Sequence, residues 1–269
     1  MRQLDLAELR KIQLGILDVV AKFCDEYGIS YFLNAGTLLG AIRHKGYIPW
    51  DDDIDLGMLR PDYDRFMKLF NGYKPHYIFV CGESDPNFFM PFGHVEDTRT
   101  IQFGGVIHGV NVDIFCLDNA PDDPKELTRM FRRYFFYRTL LSAKALPAFQ
   151  PVLGSFSRRL LGQILRILIH LIPIPKEYFM KKVIENFRMY QHEDTKRVGD
   201  FQGSHLAVIE RELVAKTTYA EFEGKKYKIP VGYDEWLTTL YGDYMKLPPK
   251  SAQKTHHSFK AYIKEEEGE

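Results

Sequence analysis

Apolar residues recur at helical spacing over residues 4–27 of the chain. Side chains three or four positions apart lie on one face of a helix, so this repeat predicts an amphipathic helix. Gly28 follows the last apolar position, and glycine favours the left-handed conformation that ends helices. The same reasoning predicts further helices at residues 61–71, 178–191 and 234–241.

Shorter apolar segments between these helices alternate with polar residues or form compact runs, which indicates strands. The chain thus follows an order of helix, strand, helix, strand and then hairpin strands, which favours an α+β fold with a mixed sheet and flanking helices. The predicted strands are residues 30–34, 51–58, 77–81, 88–95, 100–103 and 109–117, with a turn at Gly104-Gly105 and a later hairpin of residues 219–222 and 226–229.

The predicted strand at residues 51–58 is unusually acidic on one face. Because side chains two positions apart share a face, Asp51, Asp53 and Asp55 would project together, opposite Ile54 and Leu56. Carboxylates this close repel one another unless a cation lies between them, and oxygen ligands favour Mg²⁺, Mn²⁺ or Ca²⁺. The spacing does not fit an EF-hand, whose loop needs glycine where Leu56 stands. A solvated acidic loop is the alternative.

A further carboxylate, Asp113, stands inside the apolar segment 109–117. An unpaired buried charge is costly, so a partner for Asp113 is expected. If this strand neighbours the first, Asp113 would lie beside Asp53 and Asp55 and complete a metal site. A salt bridge to an arginine is the alternative.

The stretch G-T-L-L-G-A-I-R-H-K-G-Y-I-P-W-D-D-D-I-D-L, which begins at Gly36, resembles the signature of the LicD family, related to the fukutin-type transferases within the nucleotidyltransferase fold. Gly36-Thr37 matches the turn of that fold, Asp53 and Asp55 its carboxylate pair, and Asp113 its third carboxylate. Further matches at residues 83–87, 97–100 and 241–249, and at His256-His257, extend the resemblance to nearly the whole chain. At His94 the chain departs from the family, which tends to have lysine there.

Around the carboxylates, several residues are candidates for substrate binding. Gly36 and Thr37, with the amides that open a short helix at residues 38–42, would cradle a phosphate. Arg43, His44 and Lys45 form a predicted loop that would neutralise phosphate charge, or would be only a solvated surface. Trp50 would contact substrate or fill the core. The family match adds His256 and His257, and Tyr241 is a candidate for an aromatic cage around choline.

The amino-acid composition narrows the range of possible functions and cellular locations. The 269 residues carry equal numbers of basic and acidic side chains, which argues against a general nucleic-acid binder. Three widely spaced cysteines, Cys24, Cys81 and Cys116, suit free thiols in a reducing cytoplasm. No secretory signal or stretch of 18 uncharged apolar residues is found, so no membrane span is expected.

Residues 125–176 hold ten basic residues against one acid, Glu126. Apolar residues form a wide stripe across residues 156–172, and such basic amphipathic helices can lie on anionic membranes. A helical hairpin packed on the sheet is the alternative. These changes in composition along the chain predict three parts. They are a nucleotidyltransferase-like core at residues 1–120, a basic helical insertion at 121–195, and a C-terminal part at 196–269 that completes the active site.

The resemblance implies a metal-dependent phosphocholine transferase that uses Mg²⁺ or Mn²⁺, CDP-choline as donor and a cell-envelope glycan, of the teichoic acid or lipopolysaccharide type, as acceptor. Asp113 or Asp51 would accept the proton of the acceptor hydroxyl, and CMP would leave. A lipid-linked acceptor would suit a peripheral enzyme at the inner face of the cell membrane. The alternatives are transfer of another CDP-linked group (phosphoethanolamine, glycerol phosphate or ribitol phosphate), transfer of the nucleotide itself, and a non-catalytic membrane-bound scaffold.

Overall fold

The computed structural model describes residues 1–85, 88–103, 107–147, 156–202, 207–255 and 260–264, without the side chains of Phe156 and Arg158. The predicted Gly104-Gly105 turn and the His256-His257 pair lie outside these residues. The chain divides into two compact units. The first unit comprises Met1–Val80, Phe92–Asp118 and Lys196–Glu269, and the second comprises Cys81–Pro91 and Asn119–Thr195.

Helices and strands alternate along the described residues. The helices are α1 (Leu6–Tyr27), α2 (Ala35–His44), α3 (Arg60–Leu69), α4 (Pro124–Ala145), α5 (Phe156–Leu171), α6 (Lys176–Phe187), α7 (Arg211–Ala215) and α8 (Tyr233–Tyr241). The strands are β1 (Arg2–Gln3), β2 (Phe32–Leu33), β3 (Asp55–Leu59), β4 (Tyr77–Val80), β5 (Gly93–Phe103), β6 (His108–Ala120), β7 (Arg197–Asp200), β8 (Ala207–Glu210), β9 (Thr217–Phe222), β10 (Lys225–Pro230) and β11 (Lys260–Ile263).

The first unit is built on a mixed sheet whose main path runs β1-β11-β5-β6-β3-β2. β3 and β6 are parallel, whereas β5 is antiparallel to β6, and β2 is antiparallel to β3. β4 pairs with β5, and β7 pairs with both β6 and β8. Helices accompany this sheet, so the predicted α+β class and nucleotidyltransferase-like fold are confirmed.

Helix α1 forms where the apolar repeat predicts it. Asp5 accepts a hydrogen bond from the Glu8 amide while the Glu8 side chain accepts one from the Asp5 amide, so a capping box fixes the first turn. At the other end Gly28 has a φ of 59°, the left-handed conformation predicted for the helix stop. The apolar face of α1 is buried, with Ile16, Leu17 and other core residues fully enclosed.

Helix α2 is longer than predicted. It begins at Ala35 rather than at Leu38 and continues to His44, so Gly36 and Thr37 lie in its first turn. The prediction of a basic loop at residues 43–45 was wrong, because Arg43 and His44 belong to the last turn and Lys45 is the left-handed C-cap. Cations at the end of a helix are favoured by the partial negative charge of its last carbonyls, which explains why this basic sequence extends the helix.

The prediction that a strand begins at Asp51 was also wrong, because β3 begins at Asp55. The carbonyls of Asp51 and Asp52 bond to helix α1 instead of to a neighbouring strand. Arg10 Nη2 donates to the carbonyls of Ile48 (3.2 Å) and Asp51 (2.5 Å), and Gln13 Nε2 donates to that of Asp52 (2.9 Å). With these carbonyls occupied, residues 51–54 form a loop that α1 holds against the start of β3.

The parallel strands β3 and β6 are joined beyond the acidic positions by a buried ion pair. Arg60 Nε and Nη2 donate to the two carboxylate oxygens of Asp118 at 2.7 and 2.8 Å. Arg60 is 6% exposed and Asp118 1% exposed. Two parallel hydrogen bonds between a guanidinium and a carboxylate fix direction as well as distance. This pair therefore holds the register in which Leu59 neighbours Leu117.

The second unit is mainly helical. Asn186 of α6 donates to the Met130 carbonyl of α4 at 3.1 Å, and the rings of Tyr134 and Phe187 lie 5.1 Å apart. Helix α5 is different, because a whole apolar face of it is exposed while Arg166 is buried. This exposed face, hereafter the α5 face, consists of Leu160, Leu161, Ile164, Ile167, Leu168 and Leu171. None of the described helices has both the length and the apolar character needed to cross a bilayer.

Candidate active site

Two carboxylates lie side by side in the middle of the sheet. Asp55 begins β3, and its Cα is paired with that of Asp113 on the parallel strand β6. Neighbouring strands are about 4.8 Å apart, and residues paired in this way project from the same face of a sheet. Asp55 is 9% exposed. Asn111 donates to one oxygen of Asp113 at 2.5 Å, which orients that carboxylate. The structure thus brings together the two carboxylates that the sequence placed on neighbouring strands.

The loop before β3 supplies three more carboxylates. Ligand oxygens of Asp51, Asp52 and Asp53 all lie within 4.8 Å of one another. Thr255 Oγ1 donates to Asp52 Oδ2 at 2.9 Å, so a C-terminal residue of the first unit reaches this loop. Asp52 is 9% exposed, whereas Asp51 and Asp53 are half-buried. Asp51 and Asp53 therefore join the site from a loop rather than from the predicted strand.

Asp200, at the end of β7, is a further contributor that the sequence analysis did not identify. Its charge acts on the Asp55 carboxyl together with those of Asp53, Asp113 and Asp51. The Asp200 side chain is 9% exposed and accepts a hydrogen bond from the Gln202 amide at 3.0 Å. Gln202 in turn accepts from the Cys116 amide of β6 at 3.2 Å, which anchors this end of β7 to the central sheet.

The crowding of negative charge changes how these groups ionise. Burial, followed by repulsion from Asp53 and Asp113, raises the pKa of Asp55 well above its usual range. Burial, followed by repulsion from Asp53, raises the pKa of Asp51 to about 7. A set of carboxylates that resists full ionisation by itself is a set that a bound cation would stabilise. The donors are all oxygens, which fits a hard divalent ion.

Helix α2 presents its first turn beside this cluster. A Cβ at Gly36 would come within 2.8 Å of Asp51 Oδ2, so a side chain there would displace that carboxylate. Thr37 is 3% exposed, and its hydroxyl accepts a hydrogen bond from the Asp55 amide at 2.8 Å. The N-cap residue Asn34 accepts from Trp236 Nε1 at 2.8 Å, and within the described part of the chain its own Nδ2 has no acceptor.

The three basic residues at the end of α2 make different contacts. Arg43 Nη1 donates to the Tyr244 carbonyl at 2.6 Å, and its Nε donates to His44 Nε2 at 2.9 Å. Desolvation lowers the pKa of both Arg43 and His44. Trp50 is half-buried, with its ring 6.4 Å from that of His44. Lys45 is exposed, and the contact described for it is a backbone one, with its carbonyl accepting from the Glu223 amide.

Tyr241, at the end of α8, lies beside the acidic cluster. Desolvation of its hydroxyl, followed by repulsion from Asp55 and Asp51, raises its pKa. The residue is nevertheless 46% exposed, so part of the ring remains open to a ligand. His94 of β5 is paired across the sheet with Asp113 and is 3% exposed.

The chain is similar to known proteins. The nucleotidyltransferase-domain family described as LicD/FKTN/FKRP matches residues 28–123 of the chain. Lipopolysaccharide cholinephosphotransferase LicD of Haemophilus influenzae is 33% identical over 272 aligned residues, which cover 98% of this chain and 100% of that protein. This chain belongs to the LicD family.

Membership of the LicD family places the chain among the phosphotransferases. Shorter matches reach animal relatives. Ribitol-5-phosphate transferase FKTN of Mus musculus is 33% identical over 118 residues, which are 44% of this chain and 23% of that protein. Ribitol 5-phosphate transferase FKRP of Homo sapiens is 40% identical over 57 residues, which are 21% of this chain and 10% of that protein. The match to the family model spans the loop, β3 and β6, where all the acidic contributors except Asp200 lie.

Proposed function

We propose that this LicD-family protein transfers phosphocholine from CDP-choline to a sugar hydroxyl of a cell-envelope glycan and releases CMP. The observation that carries the proposal is the convergence of Asp55 and Asp113 from parallel strands with Asp51 and Asp53 from the preceding loop. The full-length similarity to a lipopolysaccharide cholinephosphotransferase supports phosphocholine as the transferred group.

Asp53, Asp55 and Asp113 are the residues that would hold Mg²⁺ or Mn²⁺, and Asp200, whose charge also acts on Asp55, is a further candidate ligand. The raised pKa of Asp55 supports this assignment, because burial and neighbouring carboxylates make its charge costly without a cation. A divalent cation in this position would offset the negative charge of the donor's pyrophosphate. Asn111 orients Asp113 through its 2.5 Å hydrogen bond, as expected of a residue that supports a ligand.

Asp51 is the carboxylate best suited to accept the proton of the acceptor. Asp51 is not among the residues assigned to the cation, and before a cation binds its pKa is raised to about 7, near the pH at which a general base works best. In the reaction, the hydroxyl oxygen forms a bond to the phosphorus of phosphocholine while the bond from that phosphorus to the CMP oxygen breaks. The hydroxyl proton passes to Asp51, and the electron pair of the broken bond leaves with CMP.

The donor phosphates would lie against the first turn of α2. Helix N-termini bind anions because their first amides have no partners within the helix. Gly36 leaves this turn without a side chain beside Asp51, and the buried Nδ2 of Asn34 is a further donor at the N-cap. Arg43 would add positive charge, held in place by its hydrogen bond to the Tyr244 carbonyl.

The trimethylammonium group of choline needs aromatic faces. Tyr241 offers a ring that is 46% exposed next to carboxylates, which provide further attraction for a cation. Trp50 is the second candidate, because it is half-buried near His44 on the same loop as the carboxylates. A Tyr241→Leu variant should raise the KM for CDP-choline more than that for CDP-ethanolamine, whose ammonium group also forms ordinary hydrogen bonds.

We further propose that the protein binds the anionic inner face of the cell membrane peripherally, through the α5 face. Leu161 is 74% exposed and Leu171 75% exposed, which is a large cost in water unless a lipid surface covers them. The excess of positive charge across residues 125–176 complements anionic lipid headgroups. A lipid-linked glycan acceptor would suit such an enzyme.

Membrane binding is tested by sedimentation with vesicles of phosphatidylglycerol or of phosphatidylcholine. We expect binding to the anionic vesicles, and a loss of binding in a Leu161→Asp/Leu168→Asp variant. Leu69→Asp is the matched control, because Leu69 is a 45% exposed leucine on α3. Equal binding by all three proteins, or none by the wild type, would remove the membrane proposal without touching the transferase proposal.

The transferase proposal is tested by steady-state assays with a panel of CDP-linked donors and a glycan acceptor, followed by mass spectrometry of the product. We expect CDP-choline to be used best and the acceptor to gain phosphocholine. Asp53→Asn and Asp55→Asn should abolish transfer, whereas Asp194→Asn, an exposed aspartate of the second unit, should not. Full transfer by Asp53→Asn and Asp55→Asn would revive the non-catalytic scaffold.

Transfer of another CDP-linked group is the second candidate function. The matches to ribitol-phosphate transferases favour it. Activity with CDP-ribitol, CDP-glycerol or CDP-ethanolamine but not with CDP-choline would decide for it. A product carrying the nucleotide itself would indicate nucleotidyl transfer instead.

A further inference from the structure

Two histidines and a glutamate form a second group of metal-ligand side chains outside the acidic cluster. His94 and Glu96 are two residues apart on β5, and His108 lies at the start of the antiparallel strand β6. One ligand atom from each lies within 4.8 Å of the other two. The rings of His94 and His108 are 5.0 Å apart. Two imidazoles and a carboxylate are the ligands of many protein zinc sites, whereas the acidic cluster offers only oxygens.

An irregularity in the sheet creates this grouping. The register between β5 and β6 shifts between Asp97 and Gln102, where Thr100 Oγ1 accepts from the Val110 amide and donates to the Asp97 carbonyl, both at 2.7 Å. A side chain at Gly109 would meet the Asp97 carbonyl at 2.4 Å, so the strands approach this closely only with glycine there. Bulges often direct side chains toward a site. Here the shift brings His108 to His94 and Glu96.

Hydrogen bonds orient two of the three ligand side chains, His108 and Glu96. His108 Nδ1 lies 2.7 Å from the Gly109 carbonyl, which can only accept, so Nδ1 carries the proton and Nε2 presents its lone pair. The Gly109 amide donates to Glu96 Oε2 at 2.7 Å and orients that carboxylate. Metal-binding histidines usually donate their second nitrogen to a carbonyl or carboxylate in this way. His94 Nε2 is 3.4 Å from Glu96 Oε2.

The charge states agree with this arrangement. Burial lowers the pKa of His108, which favours the neutral ring that binds metals. Burial would by itself raise the pKa of Glu96, but hydrogen bonds from His94 and the Gly109 amide lower it below its usual value.

We propose that His94, Glu96 and His108 bind one Zn²⁺-class transition-metal ion, at a site separate from the carboxylates assigned to Mg²⁺. Three protein ligands leave a coordination position open for water or an anion. Because His94 is paired with Asp113 across the sheet, this ion would lie on the border of the candidate active site. The inference concerns metal binding by these three residues and does not depend on the identity of the donor.

The test uses full-length protein stripped with a chelator and titrated with Co²⁺, whose visible absorption reports nitrogen ligands. We expect one equivalent to give a band that Zn²⁺ displaces. His108→Ala and Glu96→Gln should each weaken this binding at least about tenfold. His192→Ala, which changes an exposed histidine, should leave it unchanged, and Asp53→Asn should retain the band because the acidic cluster is a different site.

X-ray absorption of wild-type protein loaded with one equivalent of Zn²⁺ provides a measurement that requires no variant to fold. Two imidazole ligands and an oxygen shell are the expected result. The proposal is overturned by an all-oxygen shell, by the absence of a Zn²⁺-displaceable band in the wild type, or by a band lost in Asp53→Asn and kept in folded His108→Ala.

Discussion

Replacing Asp51 by asparagine should stabilise the metal-free protein while it removes the proposed general base. Burial and repulsion from Asp53 raise the pKa of Asp51 to about 7, so the folded protein ionises this group only at a cost. Asparagine has the same shape and no charge. Its Nδ2 can donate a hydrogen bond to Asp53, where two ionised carboxylates would repel each other.

The size of the effect follows from linkage between protonation and folding. In the unfolded chain Asp51 should ionise near its ordinary value of 3.8, so between about pH 4 and about pH 7 the folded protein holds more protons. Stability therefore falls as pH rises through this window and stays low above it. At about 1.4 kcal/mol for each pH unit the upper limit is about 4 kcal/mol. Because Asp51 is half-buried and water screens part of the repulsion, we expect a gain of about 1–3 kcal/mol for Asp51→Asn near pH 8.

The assay is urea denaturation with a chelator present, followed by circular dichroism, at about pH 4 and about pH 8. We expect the variant and the wild type to be nearly equal at the lower pH and the variant to be more stable at the higher one. Adding Mg²⁺ should stabilise the wild type more than it stabilises the variant. The transfer activity of the variant should be at least about a hundredfold lower than that of the wild type. A variant no more stable than wild type near pH 8 would refute the proposed crowding of charge.

Three further substitutions test the surroundings of the site. Asp200→Asn should weaken Mg²⁺ binding about tenfold, measured as the Mg²⁺ concentration for half-maximal activity, with Asp194→Asn as the unaffected control. Gly36→Ala should lower kcat at least about tenfold with little change in Tm, because its Cβ would meet Asp51 Oδ2 at 2.8 Å; unaltered kcat would contradict the close approach. Arg60→Ala should cost about 3–5 kcal/mol in urea denaturation, since Asp118 stays buried without its partner, and a loss under about 1 kcal/mol would contradict this.

Local pattern was sufficient for the elements whose signals lie close together in the chain. Helix α1 follows from its apolar repeat, its capping box and Gly28, because these interactions span only a few residues. The strands carrying Asp55 and Asp113 were recognisable from their apolar neighbours. Their adjacency could be anticipated because an isolated carboxylate in a buried strand needs a partner or a cation.

Local pattern failed where distant residues decide the backbone conformation. Alternation predicted a strand from Asp51, but Arg10 and Gln13 of α1 occupy the carbonyls of residues 51 and 52, and β3 starts only at Asp55. For β3 the deciding contacts join segments that no short window contains. The predicted basic loop is instead the end of α2, where the partial negative charge of the last carbonyls favours cations.

The tertiary structure contributed most to the question of which residues belong to the candidate site. The sequence alone determined the chemistry, a group of carboxylates on and before two apolar strands, because charge and alternation are properties of neighbouring residues. Only the folded chain shows that Asp200 and Tyr241 reach Asp55, and that a shift in strand register brings His108 to His94 and Glu96. Such contacts depend on which strands pair and in which register. Pairing between strands that are far apart in the sequence depends on the packing of the whole sheet.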